Sequence, residues 1–306
     1  MPEPVISPTP TTEDFTGKVV FITGAGSGQG RAAALAFARN NAAVVGFDLD
    51  RPLSYPAYVA DESAALESLG EEIEANGGQF LAATGDVREA ADLEAAVSAA
   101  LARFGRIDVL FNNAGVISAG LLWEEPLEDW DWLLGVNVKG LVNTIAAFVP
   151  RMSEQGFPSD IVDTASIAGL LTVENSPAYV ASKFAALGMT EVLDLQLQTT
   201  HSPVKAHAVC PAVVQTDLAR CNEHRDQPGF DPSDHPYLQS EDYQKRWAVV
   251  EGSLPYGLPV AEAVDTIIRG VEDDTFLILT HPAYNPAIAG RVQLLLSGAH
   301  PQLVQR

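Results

Sequence analysis

The sequence has few cysteines, few basic residues and no long hydrophobic segment. Only Cys210 and Cys221 occur among 306 residues, which excludes a disulfide framework. The six histidines show no metal-ligand spacing, so we expect no metal site. Lysine and arginine number 18 against 40 aspartates and glutamates, a formal net charge of −22. Nucleic acids and anionic membranes bind clustered cations, so this charge argues against both as partners.

Targeting signals are also lacking. No run approaches the ~18 to 20 apolar residues of a membrane span, and the first residues lack the basic and apolar regions of a signal peptide. Hydrophobic residues make up 47% and charged residues 19%, which is the mixture of a globular chain rather than a disordered one. We therefore expect a soluble, cytoplasmic protein that has neither nucleic acid nor a membrane as a partner.

Short β-branched runs alternate along the chain with alanine-rich segments of helical period. The runs predict strands at 19–22, 43–47, 79–83, 107–111, 160–163, 205–209 and 275–279, and the segments predict helices at 31–40, 89–103 and 178–197. Continuous apolar strands that alternate with helices are typical of a parallel sheet covered on both faces. With right-handed crossovers, the sequence predicts an α/β fold: a Rossmann-type, doubly wound domain with a seven-stranded parallel sheet.

Four segments depart from this alternation. Residues 1–16 are rich in proline and predict a mobile arm, ahead of one domain over residues 17–306. Residues 51–62 form an insertion after the second strand, and residues 281–306 form a C-terminal tail. The long segment 217–258 carries four prolines and several aromatic residues. A segment of this length is either a mobile surface loop or a lid over a site, and its aromatic content favours a substrate lid.

The first strand runs into a glycine-rich turn, TGAGSGQG at 23–30, and a helix is predicted to begin at about Gln29. Gly24, Gly28 and Gly30 allow a tight turn, a close approach of the backbone and close packing of helix against strand. The free N–H groups at the start of such a helix suit a pyrophosphate. Glycine spacing alone is weak evidence, but its position between a strand and a helix makes a dinucleotide site the favoured interpretation.

An acidic residue, Asp48, follows 18 positions after Gly30, at the end of the second strand. A carboxylate there accepts hydrogen bonds from both hydroxyl groups of an adenosine ribose and repels a 2′-phosphate, which favours NAD over NADP. Arg31, beside the turn, is a group that could instead receive that phosphate. The alternative for Asp48 is an ordinary solvated strand end.

Tyr179 and Lys183 lie four residues apart on a predicted helix and therefore share one face. A phenol with an ordinary pKa near ~10 needs a depression of about 2 to 3 units for proton transfer near neutrality. A nearby ammonium and a bound nicotinamide cation could supply it. Ser166 follows the fifth strand, at the sheet edge where ligands of such folds bind. Each feature alone is common in proteins, but their order along one chain predicts acid/base chemistry on an alcohol or a carbonyl group.

From about residue 18 to 280 the chain resembles the short-chain dehydrogenase/reductases. The motifs that carry the resemblance are TGAGSGQG at 23–30, Asp86-Val87, NNAG at 112–115, Asn137 in GVNVKG, Ser166, YVASK at 179–183 and PAVVQT at 211–216. Their joint occurrence is specific for the family but not for a substrate.

The resemblance implies a catalytic role for four residues. Tyr179 is the general acid/base, Lys183 lowers its pKa and binds the nicotinamide ribose, and Ser166 holds the substrate oxygen. Asn137 anchors a water that links Lys183 to solvent; without the resemblance it is a helix amide satisfied by backbone. The implied NAD-binding residues are Gly24, Ser27, Gly28, Gln29, Gly30, Asp48, Leu49, Asp86, Val87, Asn113, Ala114, Gly115, Tyr179, Lys183, Pro211, Val214 and Thr216.

Two parts of the chain resemble particular branches of the family. The turn and the lengthened segment after Asp48 are similar to a mycofactocin-associated branch related to carveol dehydrogenases, in which the insertion covers NAD and hinders its exchange. Residues 270–282 replace the usual glycine-rich C-terminal strand and resemble branches that oxidise benzylic alcohols of aryl ethers. The family implies a homodimer or homotetramer, although the unusual ending departs from the segment that builds the common tetramer interface.

The sequence thus predicts an NAD-dependent enzyme that interconverts a hydrophobic secondary alcohol and its ketone. Two alternatives stay open. The first is an enzyme whose NAD stays bound and is reoxidised in place by another redox carrier. The second is a non-catalytic NAD-binding sensor or scaffold, which would have no chemical need for all four catalytic residues.

Other conspicuous residues are given structural roles. Trp123, Trp130 and Trp132 are expected to serve packing or to line the rim of a site. The acidic residues between 124 and 131 predict a solvated run at a helix start, where negative charge favours the helix dipole. Cys210, in an apolar strand, is expected to be inert, and Cys221 to line the lid.

Overall fold

The computed structural model describes residues 14–49, 65–225, 227 and 229–302. Their centre is a seven-stranded sheet in the order β3-β2-β1-β4-β5-β6-β7, and every neighbouring pair is parallel. The strands are β1 (Val19–Thr23), β2 (Ala43–Asp48), β3 (Gln79–Thr84), β4 (Val109–Asn112), β5 (Ser159–Thr164), β6 (Val204–Cys210) and β7 (Leu277–Leu279). This arrangement confirms the predicted doubly wound α/β fold.

Helices cover both faces of the sheet. They are α1 (Gly28–Arg39), α2 (Ala65–Ala75), α3 (Ala90–Phe104), α4 (Leu127–Leu134), α5 (Leu141–Glu154), α6 (Pro177–Thr199), α7 (Glu241–Ser253), α8 (Val260–Glu272) and α9 (Asn285–Leu296). Buried residues of α1, α2 and α8 form one core cluster with the sheet, and those of α3, α5 and α6 form the other. The strands are therefore buried on both sides, as their continuous apolar sequences predict.

Strand β1 shows how one short sequence serves two cores. All five of its residues are buried. Successive side chains point to opposite faces, so Val20 and Ile22 join the cluster under α1, whereas Val19 and Phe21 join the one under α5. A β-branched and aromatic strand of this kind can only lie in the interior of a sheet covered on both faces.

The predicted mobile arm over residues 1–16 ends earlier than expected. Phe15 is 1% exposed and packs edge-on against Phe37 of α1, with ring centroids 5.1 Å apart. Its backbone N–H donates to the Asn40 carbonyl at 2.8 Å. The proline-rich composition hid this single aromatic anchor. Residues 1–13 and the insertion at 51–62 lie outside the described residues.

Two strands are shorter than predicted. β4 begins at Val109 rather than at residue 107, because the Asp108 carboxylate accepts the N–H of Val19 at 2.8 Å and is also bonded by Arg106. β7 comprises only Leu277–Leu279. The segment 217–258 is not structureless: its described residues form short 3₁₀ turns followed by helix α7.

A continuous helical stretch, Leu127–Glu154, has the length and apolar composition of a membrane span, with a window of mean hydropathy 1.4. This stretch contains no uninterrupted apolar run of the length that the sequence analysis took as the criterion for a membrane span. In the fold this stretch packs on the sheet, and Phe148 and Met152 are fully buried in the core. Its hydropathy is thus that of a core helix.

Candidate active site

The glycine-rich turn lies at the carboxyl end of β1, and its shape depends on missing side chains. Gly24 and Gly28 adopt positive φ angles of 67° and 52°. A methyl group at Gly30 would lie 2.0 Å from the Gly24 carbonyl oxygen, so α1 can approach the turn this closely only with glycine there. The Asn113 amide group donates to the carbonyls of Thr23 and Gly24, at 3.1 and 3.2 Å, and fixes the turn from the β4 side.

Asp48, at the end of β2, is held in place by two backbone N–H groups. Gly26 donates to one carboxylate oxygen at 2.6 Å and Leu49 to the other at 2.8 Å. The carboxylate therefore faces the turn, where a ribose bound along it would lie. Arg31 pairs with Glu72 of α2 at 2.8 Å, which draws its guanidinium toward α2.

The next strand end brings an arginine that the sequence analysis did not predict. Asp86 is buried, and the Arg88 guanidinium binds its carboxylate through two nitrogens, the closest contact being 2.6 Å. Arg88 lines the same cavity as Asp86 and Val87. Its position directly after the Asp-Val pair was the available signal, because a buried carboxylate needs a cation or donors close by.

Helix α6 brings Tyr179 and Lys183 beside Ser166. The Lys183 ammonium donates to the Thr164 carbonyl at 2.7 Å and lies 5.6 Å from the centroid of the Tyr179 ring. The Ser166 hydroxyl accepts the Ala168 N–H at 3.0 Å, and a hydrogen bond from Ser166 favours the ionised form of Tyr179. The three residues predicted to carry the chemistry therefore meet at the carboxyl edge of β5.

The pKa values of the pair are set by burial. Desolvation raises the pKa of Tyr179 to about 12, against the hydrogen bond from Ser166. Desolvation also lowers the pKa of Lys183 to about 8. Proton transfer near neutrality requires a depressed phenol pKa. In the protein chain alone the shift has the opposite sign, because burial outweighs the nearby partners.

Asn137 lies one layer behind these groups, in a π-helical stretch, Gly135–Gly140, between α4 and α5. Its side chain exchanges two hydrogen bonds of 2.8 Å with the backbone of Val116 and donates to Ser182 at 3.1 Å. The π-helical turn places this amide inward, which is a frequent use of such turns. A second small cavity of about 10 Å³, the size of one water, is lined by both Asn137 and Lys183.

One large cavity of about 930 Å³ unites the glycine turn, the β2 and β3 ends and the Ser–Tyr–Lys group. Of the predicted cofactor residues, Gly30 does not line it: this glycine packs behind the turn, against Gly24. Asn137 lines only the small cavity behind Gly115. The predicted residues that do line the large cavity are Gly24, Ser27, Gly28, Gln29, Asp48, Leu49, Asp86, Val87, Asn113, Ala114, Gly115, Ser166, Tyr179, Lys183, Pro211, Val214 and Thr216.

Beyond Tyr179 the cavity continues between the segment after Ser166 and the segment 217–258. Its walls there are mainly apolar, and Tyr284 from the C-terminal tail reaches the same wall. The aromatic content of 217–258 predicts that this segment covers a site, whereas the side chains that face inward depend on how the segment folds. The apolar wall residues are Leu171, Val173, Leu218, Val249, Val250 and Leu254.

The acidic run between 124 and 131 is not fully solvated, contrary to the sequence-based prediction. Glu125 is 6% exposed and Asp129 is 3% exposed. Arg225, from the segment 217–258, pairs with Asp129 at 2.5 Å and stacks over Trp132 and Phe230. The sequence concealed this, because the arginine that covers the acids lies almost a hundred residues away.

The tryptophans and cysteines named in the sequence analysis differ in their burial. Trp132 is a packing residue, whereas Trp123 is 75% exposed. Burial raises the pKa of Cys210 to about 11, and Cys221 lines the large cavity. Among the residues that the structure describes, no group of three or more His, Cys, Asp or Glu side chains is placed to hold a metal ion.

Comparison with known proteins agrees with this geometry. The family model for short-chain dehydrogenases matches residues 18–227, and the chain belongs to that family. A CLA biosynthesis dehydrogenase/reductase from Lactiplantibacillus plantarum is 38% identical over 291 residues, which are 95% of this chain and 97% of the relative.

Two solved structures show how far the similarity extends. A short-chain dehydrogenase/reductase from Burkholderia phymatum, in complex with NAD, is 31% identical with a TM-score of 0.86, and the match covers 96% of this chain and 99% of that one. Carveol dehydrogenase from Mycobacterium avium, also in complex with NAD, has a TM-score of 0.65 at 24% identity, covering 84% and 91%. At that identity the second similarity concerns the fold.

Proposed function

We propose that the protein is an NAD-dependent dehydrogenase that interconverts a hydrophobic secondary alcohol and its ketone, with Tyr179 as the general acid/base. The observation that carries the proposal is the meeting of Ser166, Tyr179 and Lys183 in the cavity that also contains the glycine turn and Asp48. An oxidoreductase of this family needs these groups in one place, because the cofactor and the alcohol carbon must be adjacent.

The residues of the cavity fit NAD. The absence of side chains at Gly24 and Gly28 leaves the N-terminus of α1 accessible to a pyrophosphate, and Asp48 is oriented toward the turn for a ribose. Arg31 is engaged by Glu72, which weakens the case for a 2′-phosphate. The Burkholderia phymatum and Mycobacterium avium structures contain NAD. When bound, NAD supplies the hydride acceptor or donor of the reaction.

The chain's own groups orient the substrate and move its proton. Ser166 and Tyr179 together can hold one oxygen atom of an alcohol or ketone. Because burial raises the pKa of Tyr179 to about 12, this hydroxyl keeps its proton at neutral pH and is ready to donate it to a carbonyl oxygen. In the direction of alcohol oxidation, the Lys183 ammonium is the nearby positive charge of the chain that favours the phenolate.

The apolar wall beyond Tyr179 supports a hydrophobic substrate. Leu171, Val173, Val249 and Leu254 present hydrocarbon to the cavity, and burial of such surface contributes about 25 cal/mol per Å². The segment 217–258 also contributes Arg220 to the lining, but hydrocarbon side chains outnumber charged ones in this part of the cavity. We therefore propose an alicyclic or aromatic secondary alcohol rather than a sugar phosphate or an acyl-CoA.

We also propose that the enzyme is a homodimer or homotetramer. Val142 on α5 and Val192 and Leu195 on α6 are about half-exposed apolar side chains on two helices that contribute to the same core cluster. Apolar surface on two long helices is typical of a buried subunit contact. Light scattering after size exclusion measures the subunit number directly, and a monomer at micromolar concentration would contradict this part of the proposal.

A screen of secondary alcohols with NAD, following the appearance of reduced nicotinamide, tests the function. We expect turnover of bulky apolar alcohols and weaker turnover with NADP at equal concentration. A preference for an acyl-CoA or a sugar phosphate would contradict the proposed substrate class. Denaturing freshly purified protein and assaying the supernatant for NAD(H) separates an exchanging cofactor from one that stays bound.

A further inference from the structure

Arg225 is a buried cation that lies outside the large cavity. It belongs to the segment 217–258, is 7% exposed and does not line the cavity. The central carbon of its guanidinium group lies between two aromatic rings, 3.4 Å from the centroid of Phe230 and 4.9 Å from that of Trp132. Planar cations pack well against ring faces, and the attraction is strongest where water is excluded. The proposed reaction does not use this group, so its burial needs another explanation.

Helix α4 provides two of the groups that contact Arg225. Asp129 and Trp132 are three residues apart, so they lie on one face of α4, and both are buried. Asp129 accepts a hydrogen bond from one guanidinium nitrogen at 2.5 Å. The other two nitrogens donate to the side-chain oxygen of Gln227 at 2.9 and 2.5 Å. Each guanidinium nitrogen therefore has an acceptor, and the group is fixed in one orientation.

The carboxylate of Asp129 depends on this arginine. Burial raises the pKa of Asp129, and the charge and the hydrogen bond of Arg225 oppose that rise. A buried carboxylate that loses its cation keeps the full cost of its desolvation. The region can relieve that cost by admitting water, which requires the segment 217–258 to move away from α4. The ion pair thus favours the closed position of the segment.

Two uncharged contacts hold the same segment to the loop before α4. The Cys221 thiol donates to the Ile117 carbonyl at 3.2 Å and accepts the Ile117 N–H at 3.4 Å. The Tyr237 hydroxyl accepts the Leu121 N–H at 2.8 Å. Arg225 lies between Cys221 and Tyr237 in the sequence. All three anchors end on the part of the chain between the end of β4 and the middle of α4, so the segment is fastened along one line.

Trp132 connects this arrangement to the cavity. Its side chain is 4% exposed and lines the large cavity. It forms a small apolar cluster with Ile117 and Cys221, against which Tyr179 and Val250 pack. Val250 belongs to the apolar wall that the segment 217–258 contributes. Trp132 therefore joins the anchor at Arg225 to the wall beside the proposed acid/base.

We propose that Arg225 is a positioning residue that determines substrate specificity: by joining Asp129 and Trp132 it holds the segment 217–258 closed against α4. Closure keeps the apolar wall in contact with a bulky substrate. The proposal rests on the function proposed above, because the wall matters to catalysis only when a hydrophobic alcohol occupies the cavity. A small alcohol can be held by Ser166 and Tyr179 without reaching the wall, so it is insensitive to the closure.

The kinetic test compares Arg225→Met with Lys245→Met, which removes a cation from an exposed ion pair within α7 of the same segment. KM and kcat are measured with a bulky apolar alcohol from the screen and with isopropanol. We expect Arg225→Met to raise KM for the bulky alcohol by roughly tenfold, the order for one aliphatic side chain that loses its contact with the substrate. The change in kcat should be smaller. KM for isopropanol and the affinity for NADH should stay close to wild type, and Lys245→Met should behave as wild type with both alcohols.

A double-mutant cycle tests whether the ion pair is the cause. Asp129→Asn, Arg225→Met and the double variant are compared by their effect on KM for the bulky alcohol. If the pair holds the segment, the double variant raises KM by clearly less than the product of the two single effects, because the second substitution removes an interaction that the first has already broken. Effects that multiply would show that the two residues act independently and would overturn the proposal.

Hydrogen exchange reports the closure without any substrate. A peptide spanning residues 241–253, which form α7, is compared between wild type and Arg225→Met, with a peptide from α3 as the reference. We expect faster exchange in the α7 peptide of Arg225→Met and no change in α3. If Arg225→Met does not fold, Arg225→Lys takes its place, because it keeps the charge but loses the planar group between the two rings. The same changes are then expected at a smaller size.

The outcomes separate this proposal from the proposed function. An unchanged KM for the bulky alcohol, whatever the exchange result, overturns the role of Arg225 in specificity, while turnover by wild type leaves the proposed function intact. An equal rise in KM for both alcohols, or a rise shared with Lys245→Met, also rejects the proposal, since general instability or surface charge then explains the effect. If wild type oxidises no alcohol, the proposed function fails, and hydrogen exchange alone decides whether Arg225 holds the segment closed.

Discussion

Replacing Gly30 with alanine tests the cofactor turn without touching a catalytic group. The added methyl group would lie 2.0 Å from the Gly24 carbonyl oxygen and 2.7 Å from the Asn113 amide nitrogen. Neither neighbour is the end of a flexible chain, since one is backbone and the other makes two hydrogen bonds to the turn. α1 and the turn must therefore move apart.

The cost can be worked out from these contacts. Overpacking of this kind costs about 1 to 3 kcal/mol, and each hydrogen bond lost from Asn113 adds about 0.5 to 1.5 kcal/mol. If both hydrogen bonds are lost, Gly30→Ala should destabilise the fold by roughly 2 to 6 kcal/mol. For a chain of 306 residues, the unfolding entropy per residue converts this into a fall in Tm of about 3 to 9 °C.

The chain offers a matched control in Gly290, an exposed glycine inside α9 with no atom within 4 Å of an added methyl group. Gly290→Ala should raise stability by about 0.5 to 1 kcal/mol, because alanine is the better helix former. Thermal unfolding of both variants, with and without NAD, makes the comparison. A Gly30→Ala protein with wild-type Tm and wild-type NAD affinity would refute the packing argument for the turn.

Two further predictions concern acids of the site. Asp48→Asn should weaken NAD binding by roughly ten- to a hundredfold, because it removes a charged hydrogen-bond acceptor, and should reduce the preference for NAD over NADP. Titration calorimetry with both cofactors measures the two affinities. An unchanged ratio of the affinities would show that Asp48 does not select between the cofactors. Because the pKa of Glu125 rises from 4.5 to about 7 on folding, its ionisation opposes the folded state, so that stability is lost as pH rises through this interval. The difference in Tm between Glu125→Gln and wild type should therefore increase, in favour of the variant, from pH 4.5 to about 7 and stay constant above that pH. The full increase corresponds to at most about 3 kcal/mol in the free energy of unfolding. A difference independent of pH would contradict the buried carboxylate.

Much of the fold could be predicted from the sequence, because each strand is a continuous apolar run and each strand end carries its own signal. Val19–Thr23 lies within one residue of its predicted limits. Boundaries were wrong where a side chain competes with the sheet, as Asp108 does at the start of β4. Phe15 was misjudged because prolines around it suggested an arm, and no local pattern reveals one aromatic anchor.

The site was predictable where it depends on local spacing and not where it depends on distant contacts. Tyr179 and Lys183 follow from one helix turn, and Asp48 from one strand end. The burial of Asp129 could not be predicted, because it depends on Arg225 folding back from a distant segment. The raised pKa of Tyr179 has the same origin, since desolvation is a property of the whole cavity.

The central claim is that Tyr179 exchanges the proton of the reacting alcohol, and one variant tests it most directly. Tyr179→Phe removes only the hydroxyl group, and Tyr256→Phe, at a 90% exposed tyrosine, is the control. With the best alcohol found in the screen, Tyr179→Phe should lose roughly 10² to 10⁴ in kcat, while its affinity for NADH, measured by fluorescence, and its Tm stay close to wild type. Turnover by Tyr179→Phe at a near-normal rate would contradict the account.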